Sequence, residues 1–130
     1  MAYSPSEPVY QYTPEADPKG IDPHAPGAKL DAGKAPILKG VIHQFPRALE
    51  QVAKVSAFGA AKYTWGGWET VENGIERYGD ALARHQVYEA SQGAFDYDSG
   101  LLHAAHEAWN ALARLELMLR VDTDHIPFNR

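Results

Sequence analysis

The sequence predicts an all-α domain that follows an irregular N-terminal arm. Eight of the nine prolines lie at or before Pro46, and the next one is Pro127. Proline fixes φ and lacks an amide donor, so it is excluded from long helices and central strands. Between these two prolines, apolar residues recur at helical spacing. No two segments with alternating apolar and polar residues flank a turn, as a β-hairpin would require.

The arm, residues 1–37, should be extended or irregular because its prolines are closely spaced. Residues 1–25 form either a mobile tail or a strap that wraps a neighbour through its tyrosines, Tyr3, Tyr10 and Tyr12. Residues 38–121 make up the predicted all-α domain, and residues 122–130 form a C-terminal tail.

Two helices are predicted first in this domain. One runs from about residue 46 to residue 62, since proline suits the first turn of a helix. The other runs from about residue 70 to residue 91. One face of this second helix carries residues at helical spacing: Ile75, Tyr78, Leu82, His85 and Glu89.

A third helix is predicted to follow Asp98 and Ser99, either of which can cap its first turn, and to end near Arg120. We expect its main stripe to face the core: Leu102, Ala105, Trp109, Leu112, Glu116 and Leu119. Further leucines widen this stripe so much that the helix needs partners on two sides. We therefore expect a homo-oligomer, either a dimer or a tetramer, to complete the bundle, although a packed N-terminal arm could serve instead.

The composition excludes several functions. The chain has no cysteine, which rules out disulfides, thiolate metal sites and cysteine nucleophiles. Its formal net charge of −5 and its lack of a basic stripe argue against binding duplex DNA. No segment is typical of a signal peptide or a membrane span. We expect a cytoplasmic protein that contacts neither nucleic acid nor membrane.

Polar side chains occupy helix positions where a simple bundle would have core residues. They are Asp80, Arg84, His85 and Glu89 on the second predicted helix, and His103, His106 and Asn110 on the third. Each one alone has an ordinary alternative, such as a surface ion pair or a buried neutral histidine. Several unpaired charges on facing stripes, however, need a cation between them. Ligands rich in oxygen suit Mg²⁺ or Mn²⁺.

A turn rich in glycine and tryptophan follows the first predicted helix. Lys62 could contact an anion there, and Trp65 or Trp68 could stack on a base, although both tryptophans could equally close the end of the bundle. Lys29 and Lys34 could add positive charge from the arm, in a segment that lacks the spacing of a P-loop. A divalent ion, positive side chains and an aromatic surface together indicate a nucleotide polyphosphate as ligand.

In this interpretation, Lys62 and Arg84 neutralise the charge that develops at the phosphates. His85 or His103 acts as general base. The residues alone identify neither the base of the nucleotide nor the bond that is cleaved.

Several motifs then come in an order that is typical of one family. They are Gly27-Ala-Lys-x-Asp-x-Gly-Lys34, Phe45-Pro46-x-Ala48-Leu49, Phe58-Gly-Ala-x-Lys62-Tyr63, Arg77-Tyr78-x-Asp80-Ala81-Leu82-x-Arg84-His85, Asp96-x-Asp98-Ser99-Gly100, His103-x-x-His106 and Trp109-Asn110-Ala111-Leu112. Through these motifs, residues 27–120 resemble the phage dATP/dGTP diphosphohydrolases, which are distant relatives of the all-α MazG-type nucleotide pyrophosphohydrolases.

The resemblance implies a MazG-like helical bundle that is completed by oligomerisation. It also implies hydrolysis of (d)GTP, with dATP as a further candidate substrate, to the monophosphate and pyrophosphate. The implied cofactor is Mg²⁺ or Mn²⁺, with two or more ions per site. In a phage that replaces adenine by 2-aminoadenine, the dGMP would supply synthesis of the modified nucleotide in the host cytoplasm.

The chain lacks the acidic motifs with which MazG-type enzymes usually bind metal, Glu-x-x-Glu on one helix and Glu-x-x-Asp on the next. We expect Asp80, Glu89 and Asp98 to bind metal instead, because a divalent ion with a triphosphate prefers carboxylate oxygen. The expected catalytic residues are Asp80, Arg84, His85 and His103. The expected substrate-binding residues are Lys29, Lys34, Lys62, Trp65, Trp68, His106 and Asn110.

Two other functions fit the same residues. The chain could be a non-catalytic oligomeric module that binds a metal or a nucleotide, and binding of dGTP without turnover would identify it. It could also be a structural oligomer whose histidines are buried and neutral. In that case its stability would not respond to metal or nucleotide.

Overall fold

In a computed structural model, the described residues are 16–121 and 127. They contain three α-helices: α1 (Pro46–Lys62), α2 (Gly74–Gln92) and α3 (His103–Arg120). A π-helical turn, Leu38–Ile42, precedes α1, and a 3₁₀ turn, Gly67–Thr70, precedes α2. Within this part of the chain no strand occurs, so the predicted all-α class is confirmed.

The contacts divide the chain into two compact units, with the boundary between Phe45 and Pro46. In the first unit, residues 16–36 form turns and irregular segments, as expected for the proline-rich arm. The carboxylate of Asp17 organises these turns, because it accepts hydrogen bonds from the backbone N–H groups of Lys29 at 2.8 Å and Lys19 at 2.7 Å. The same bonds lower the pKa of Asp17.

Two expectations concern parts of the chain that lie outside the described residues. These are the strap formed by Tyr3, Tyr10 and Tyr12, and nearly all of the tail at residues 122–130. The expectation that the catalytic domain begins at residue 38 stays a prediction.

In the second unit, α2 and α3 run antiparallel and make its largest contact. Near the start of α2, the Nε of Arg114 donates a hydrogen bond to the carbonyl of Ile75 at 3.2 Å. Near the end of α2, His85 meets His103. The helix α1 packs on α3, where the Nε1 of Trp109 donates to Ser56 Oγ at 2.7 Å.

The buried face of α3 agrees only in part with the predicted stripe, of which Ala105 is buried and Trp109 half-buried. In this single chain, Leu112 and Leu119 of the predicted stripe are 50% and 49% exposed. The buried residues are His103, Ala105, His106, Asn110 and Ala113. The side of α3 that carries His103, His106 and Asn110 therefore packs inward, where the ring of His106 meets that of His85 on α2, while Leu112 and Leu119 remain exposed.

The prediction that Asp98 or Ser99 caps α3 was wrong. The N-cap residue is Leu102, and no side chain caps the helix. A closed turn precedes it instead, in which the N–H of Asp96 donates to the carbonyl of Leu101 at 2.7 Å. The N–H of Gly100 donates back to the carbonyl of Asp96 at 2.8 Å, and Gly100 has a φ of +73°, which favours glycine. This turn delays the start of α3 by several residues.

Among the described residues, no helix has the length and apolar character needed to cross a membrane.

Candidate functional site

The second unit contains a cavity of about 1040 Å³. Residues from α1, the glycine-rich turn, α2, the loop before α3 and α3 itself line it. Its volume is ample for a small-molecule ligand, since such pockets measure roughly 300–1000 Å³. Nine of the residues that the sequence singled out line this cavity: Lys62, Trp65, Trp68, Asp80, Arg84, His85, Asp98, His106 and Asn110.

Three side chains beside this cavity converge as a metal site requires. His85 from α2, Asp96 from the loop and His103 from α3 each offer one ligand atom, and these atoms lie within 4.8 Å of one another. The Nδ1 atoms of the two histidines are 2.9 Å apart. His103 is only 2% exposed, so its imidazole is held within the packed helices.

The donor set fits a divalent cation. The two Nδ1 atoms lie 2.9 Å apart, at hydrogen-bond distance, so both can turn to one ion once the proton between them is displaced. Two imidazoles and one carboxylate suit Mn²⁺ and similar transition ions better than Mg²⁺, which prefers oxygen ligands.

The electrostatics of the cluster keep His85 and Asp96 in the forms that bind cations. Burial lowers the pKa of His85, and the neighbouring His106 lowers it further. Burial also lowers the pKa of His106, against the opposing effect of Asp96. For Asp96, burial acts to raise the pKa, but hydrogen bonds from Ser99 outweigh it, and the pKa is lowered. Neutral imidazole and ionised carboxylate are the ligating species.

A second set of contacts supports the three converging side chains. The ring of His106 stacks on that of His85, with centroids 4.4 Å apart and an interplanar angle of 9°. Ser99 Oγ donates to Asp96 Oδ2 at 2.7 Å and lies 2.7 Å from His106 Nε2. The buried Asn110 donates through Nδ2 to the carbonyl of His106 at 2.8 Å. Asn110 therefore contributes a bond inside α3.

The predicted phosphate contact, Lys62, is exposed and already paired. Its Nζ lies 3.2 Å from Asp98 Oδ2, and this hydrogen bond raises the pKa of Lys62. Because both side chains are about half exposed or more, the pair is weak in water. An incoming phosphate can replace the carboxylate at low cost.

The two tryptophans of the turn have different environments. Trp65 is 72% exposed at the cavity. Trp68 packs edge-to-face against Tyr78 and Trp109, and the guanidinium of Arg120 lies 5.4 Å from its ring centroid. Trp65 is thus available to a ligand, whereas Trp68 mainly supports the fold.

The three carboxylates expected to bind metal do not converge within the described residues. Asp80 is exposed at the cavity, Asp98 pairs with Lys62, and Glu89 is exposed near the end of α2. The charge of Glu89 instead affects the carboxyl group of Glu107 on α3. Glu107 Oε2 is buried without a hydrogen-bond partner among the described residues. Burial first, and Glu89 second, raise the pKa of Glu107.

Lys29 and Lys34 belong to the other compact unit, so their part in this site stays a prediction.

Sequence reasoning missed three residues of the cluster region. The sequence pattern favours Asp98 over Asp96 as a metal ligand, gives Ser99 only the role of a helix cap and indicates no role for Glu107. The signal for Asp96 and Ser99 was the run Asp96-Tyr-Asp-Ser-Gly100, because an aspartate three residues before a serine and four before a glycine is typical of a closed turn.

The fold and the cluster define a class: an all-α domain with a potential metal site of two histidines and one carboxylate beside a cavity of nucleotide size. A family model described as the N-terminal domain of dATP/dGTP diphosphohydrolases matches residues 24–125. The chain therefore belongs to the dATP/dGTP diphosphohydrolase N-terminal family.

A curated relative gives the same family. The chain is 42% identical over 82 residues to a dATP/dGTP diphosphohydrolase of Salmonella phage PMBT28. This match covers 63% of the chain but 26% of the relative, so the chain spans about a quarter of that protein's length. No solved structure matches the chain significantly.

Proposed function

We propose that the chain is a metal-dependent nucleoside triphosphate diphosphohydrolase. It converts (d)GTP, with dATP as a second candidate substrate, to the monophosphate and pyrophosphate. The observation that carries this proposal is the convergence of His85, Asp96 and His103 beside the cavity. The activity for which the phage relative is named, that of a dATP/dGTP diphosphohydrolase, supports the class of reaction.

In this proposal His85, Asp96 and His103 hold a divalent cation, with Mn²⁺ favoured over Mg²⁺ by the two imidazoles. Such an ion supplies Lewis-acid chemistry, neutralises phosphate charge and activates water. Asp80, Glu89 and Asp98 remain candidate ligands for further ions, since a second ion beside a triphosphate would draw on nearby carboxylates.

The reaction cleaves the bond between the α-phosphorus and the α–β bridging oxygen. The oxygen of water forms a bond to the α-phosphorus, the bridging oxygen leaves with pyrophosphate, and the protons of the water are released. Lys62 and Arg84 at the cavity supply positive charge for the phosphates. Because both side chains are exposed, they can turn towards a ligand and no buried charge is left unpaired.

Trp65 provides the flat surface for the base. Stacking on an exposed indole is worth about 1–3 kcal/mol per base and tolerates any base, so it favours binding without deciding between guanine and adenine. Trp68 and His106 then belong to the supporting structure of the site.

We also propose the biological setting. The dGMP would supply 2-aminoadenine nucleotide synthesis in a phage, in the cytoplasm of the host cell. The working protein would be a homo-oligomer that does not bind nucleic acid. Exposed leucines on α3 support the oligomer.

A nucleotide panel tests the reaction. The full chain with Mn²⁺ should release pyrophosphate and the monophosphate from dGTP, and dCTP and dTTP should be poor substrates. Chelation of the metal should abolish turnover. Inorganic phosphate as the product, or no cleavage of any purine nucleotide, would refute the proposal. Because the chain spans only part of its relative, a second result is informative: tight dGTP binding without turnover would identify a non-catalytic binding module.

A further inference from the structure

One serine side chain joins two residues of the candidate metal site. Ser99 Oγ donates to Asp96 Oδ2 at 2.7 Å and lies 2.7 Å from His106 Nε2. Its own backbone N–H donates to the same carboxylate oxygen at 2.8 Å. The N–H of Leu101 donates to Ser99 Oγ at 3.2 Å. The hydroxyl is therefore fixed from several directions.

These contacts determine where the protons lie. A serine hydroxyl has one proton to donate, and an ionised carboxylate can only accept. The contact of 2.7 Å between Ser99 Oγ and Asp96 Oδ2 therefore requires the serine proton. It follows that His106 Nε2 carries a proton and donates it to Ser99 Oγ. The Nδ1 of the neutral ring keeps its lone pair.

The same chain of hydrogen bonds reaches a second ligand. His106 is 7% exposed, and its ring lies flat against that of His85. A change in the tilt of the His106 ring would therefore displace the His85 ring. At the other end of these hydrogen bonds, the hydroxyl and the backbone N–H of Ser99 both donate to Asp96 Oδ2, so they leave Asp96 Oδ1 to other ligands.

We propose that Ser99 is a positioning residue of the metal site, acting through the chain His106 Nε2–H to Ser99 Oγ–H to Asp96 Oδ2. The inference rests on the proposed function, because that function makes His85, Asp96 and His103 the ligands. Ser99 touches neither substrate nor cation; it orients Asp96 directly and His85 through His106. Removing such supporting partners typically costs about 10–100-fold in metal affinity.

Binding of Mn²⁺ to the full chain, followed by electron paramagnetic resonance, tests the role. Ser99→Ala should weaken Mn²⁺ binding about 10–100-fold, and Ser99→Thr, which keeps the hydroxyl, should restore it. Ser91→Ala is the matched control, because Ser91 Oγ donates only within α2, to the carbonyl of Val87 at 2.9 Å. Wild-type affinity in Ser99→Ala would overturn the inference.

Nitrogen-15 NMR of the metal-free protein supplies a readout that a purely structural role would not change. The wild type and Ser99→Thr should show His106 as the Nε2–H tautomer, and Ser99→Ala should lose this preference. If circular dichroism shows that Ser99→Ala does not fold, the tautomer of His106 in the wild type tests the inference instead. An Nδ1–H tautomer of His106 in the wild type would overturn the inference.

The two proposals can fail separately. A wild type that releases no pyrophosphate, but whose Mn²⁺ binding is weakened by Ser99→Ala, would refute the hydrolase and support the positioning role. An active wild type, together with an Mn²⁺ affinity that Ser99→Ala leaves unchanged, would refute the positioning role alone.

Discussion

At the scale of single residues, Trp65 and Trp68 show how contacts separate two roles that the sequence leaves open. Both tryptophans lie in one glycine-rich turn, and both can close a bundle or stack on a base. Trp68 packs against the aromatic rings of Tyr78 and Trp109, while Trp65 is exposed at the cavity. Substitution of Trp65 should therefore affect substrate binding, and substitution of Trp68 should affect stability.

Trp65→Ala should raise the KM for dGTP about tenfold, because the stacking surface for the base is lost, and should leave the thermal midpoint nearly unchanged. Trp68→Ala should lower the free energy of unfolding by about 3 kcal/mol, because it leaves a cavity among aromatic rings. Steady-state kinetics and urea unfolding measure the two effects. The same large stability loss in both variants would contradict the assignment.

The histidines of the cluster predict how stability depends on pH in the metal-free protein. Burial lowers the pKa of His85 and of His106 in the folded state. The folded state then binds fewer protons than the unfolded state, so this stability is present above the unfolded pKa of about 6.5 and is lost as pH falls below it. The lowered pKa of Asp96 acts in the same direction at lower pH.

We therefore expect the melting temperature of chelator-treated protein to fall between pH 7.5 and pH 5.5. The slope should be shallower in His85→Gln, which cannot titrate. His24→Gln, at an exposed position of the other unit, should keep the wild-type slope. Equal slopes in all three proteins would show that burial does not disfavour the charged form of His85.

Much of the site at this scale follows from the sequence, and the remainder does not for a physical reason. His85 and His103 are predictable, because helical periodicity places them on facing stripes. Asp96 becomes a potential ligand only through the closed turn of the loop, in which backbone hydrogen bonds between Asp96, Gly100 and Leu101 aim its carboxylate. No periodic pattern describes such a turn.

At the scale of elements, the close approach of α2 and α3 positions the cluster. Gly74 begins α2 against Leu117 of α3, and a Cβ on Gly74 would come within 2.9 Å of Leu117 Cδ1. By contrast, a Cβ on Gly59 of α1 would meet no atom within 4 Å. Two glycines in helices therefore respond differently to the same substitution.

Gly59→Ala should stabilise the protein by about 0.5–1 kcal/mol, because alanine is the better helix former. Gly74→Ala should lose this gain or destabilise the protein by up to about 1 kcal/mol, because the added methyl forces the end of the Leu117 side chain to move. Chemical denaturation of both variants beside the wild type checks the pair. Equal stabilisation by both substitutions would show that Leu117 does not press against Gly74.

The helices themselves were predictable, whereas the buried face of α3 was predicted only in part. The bounds of α1 agree with the prediction, and α2 begins a few residues later because Gly67–Thr70 forms a separate 3₁₀ turn. For α3, periodicity finds an apolar stripe and a polar stripe but does not say which one meets a neighbour within the chain. The polar stripe with its small alanines packs inward, and the leucine stripe stays exposed.

At the scale of the whole molecule, the exposed leucines of α3 predict self-association. Leu112, Leu115 and Leu119 follow helical spacing and are each about half exposed. Contiguous apolar surface of this kind marks an interaction site. We propose that a second copy of the chain covers this surface.

Light scattering after gel filtration should therefore give the mass of a dimer or tetramer for the wild type. Leu115→Glu should shift this mass to that of the monomer, because it buries a charge in the interface. Lys54→Glu, on an exposed part of α1, should leave the mass unchanged. A monomeric wild type would refute the oligomer.

The claim that His85, Asp96 and His103 form the catalytic metal site is tested most directly by Mn²⁺-dependent pyrophosphate release from dGTP. Asp96→Asn keeps the shape of the side chain and removes its charge, and Asp22→Asn is the matched control at an exposed turn. We expect wild-type turnover that a chelator abolishes, full activity in Asp22→Asn and a loss of about 100-fold or more in Asp96→Asn. Wild-type turnover in folded Asp96→Asn would contradict the account.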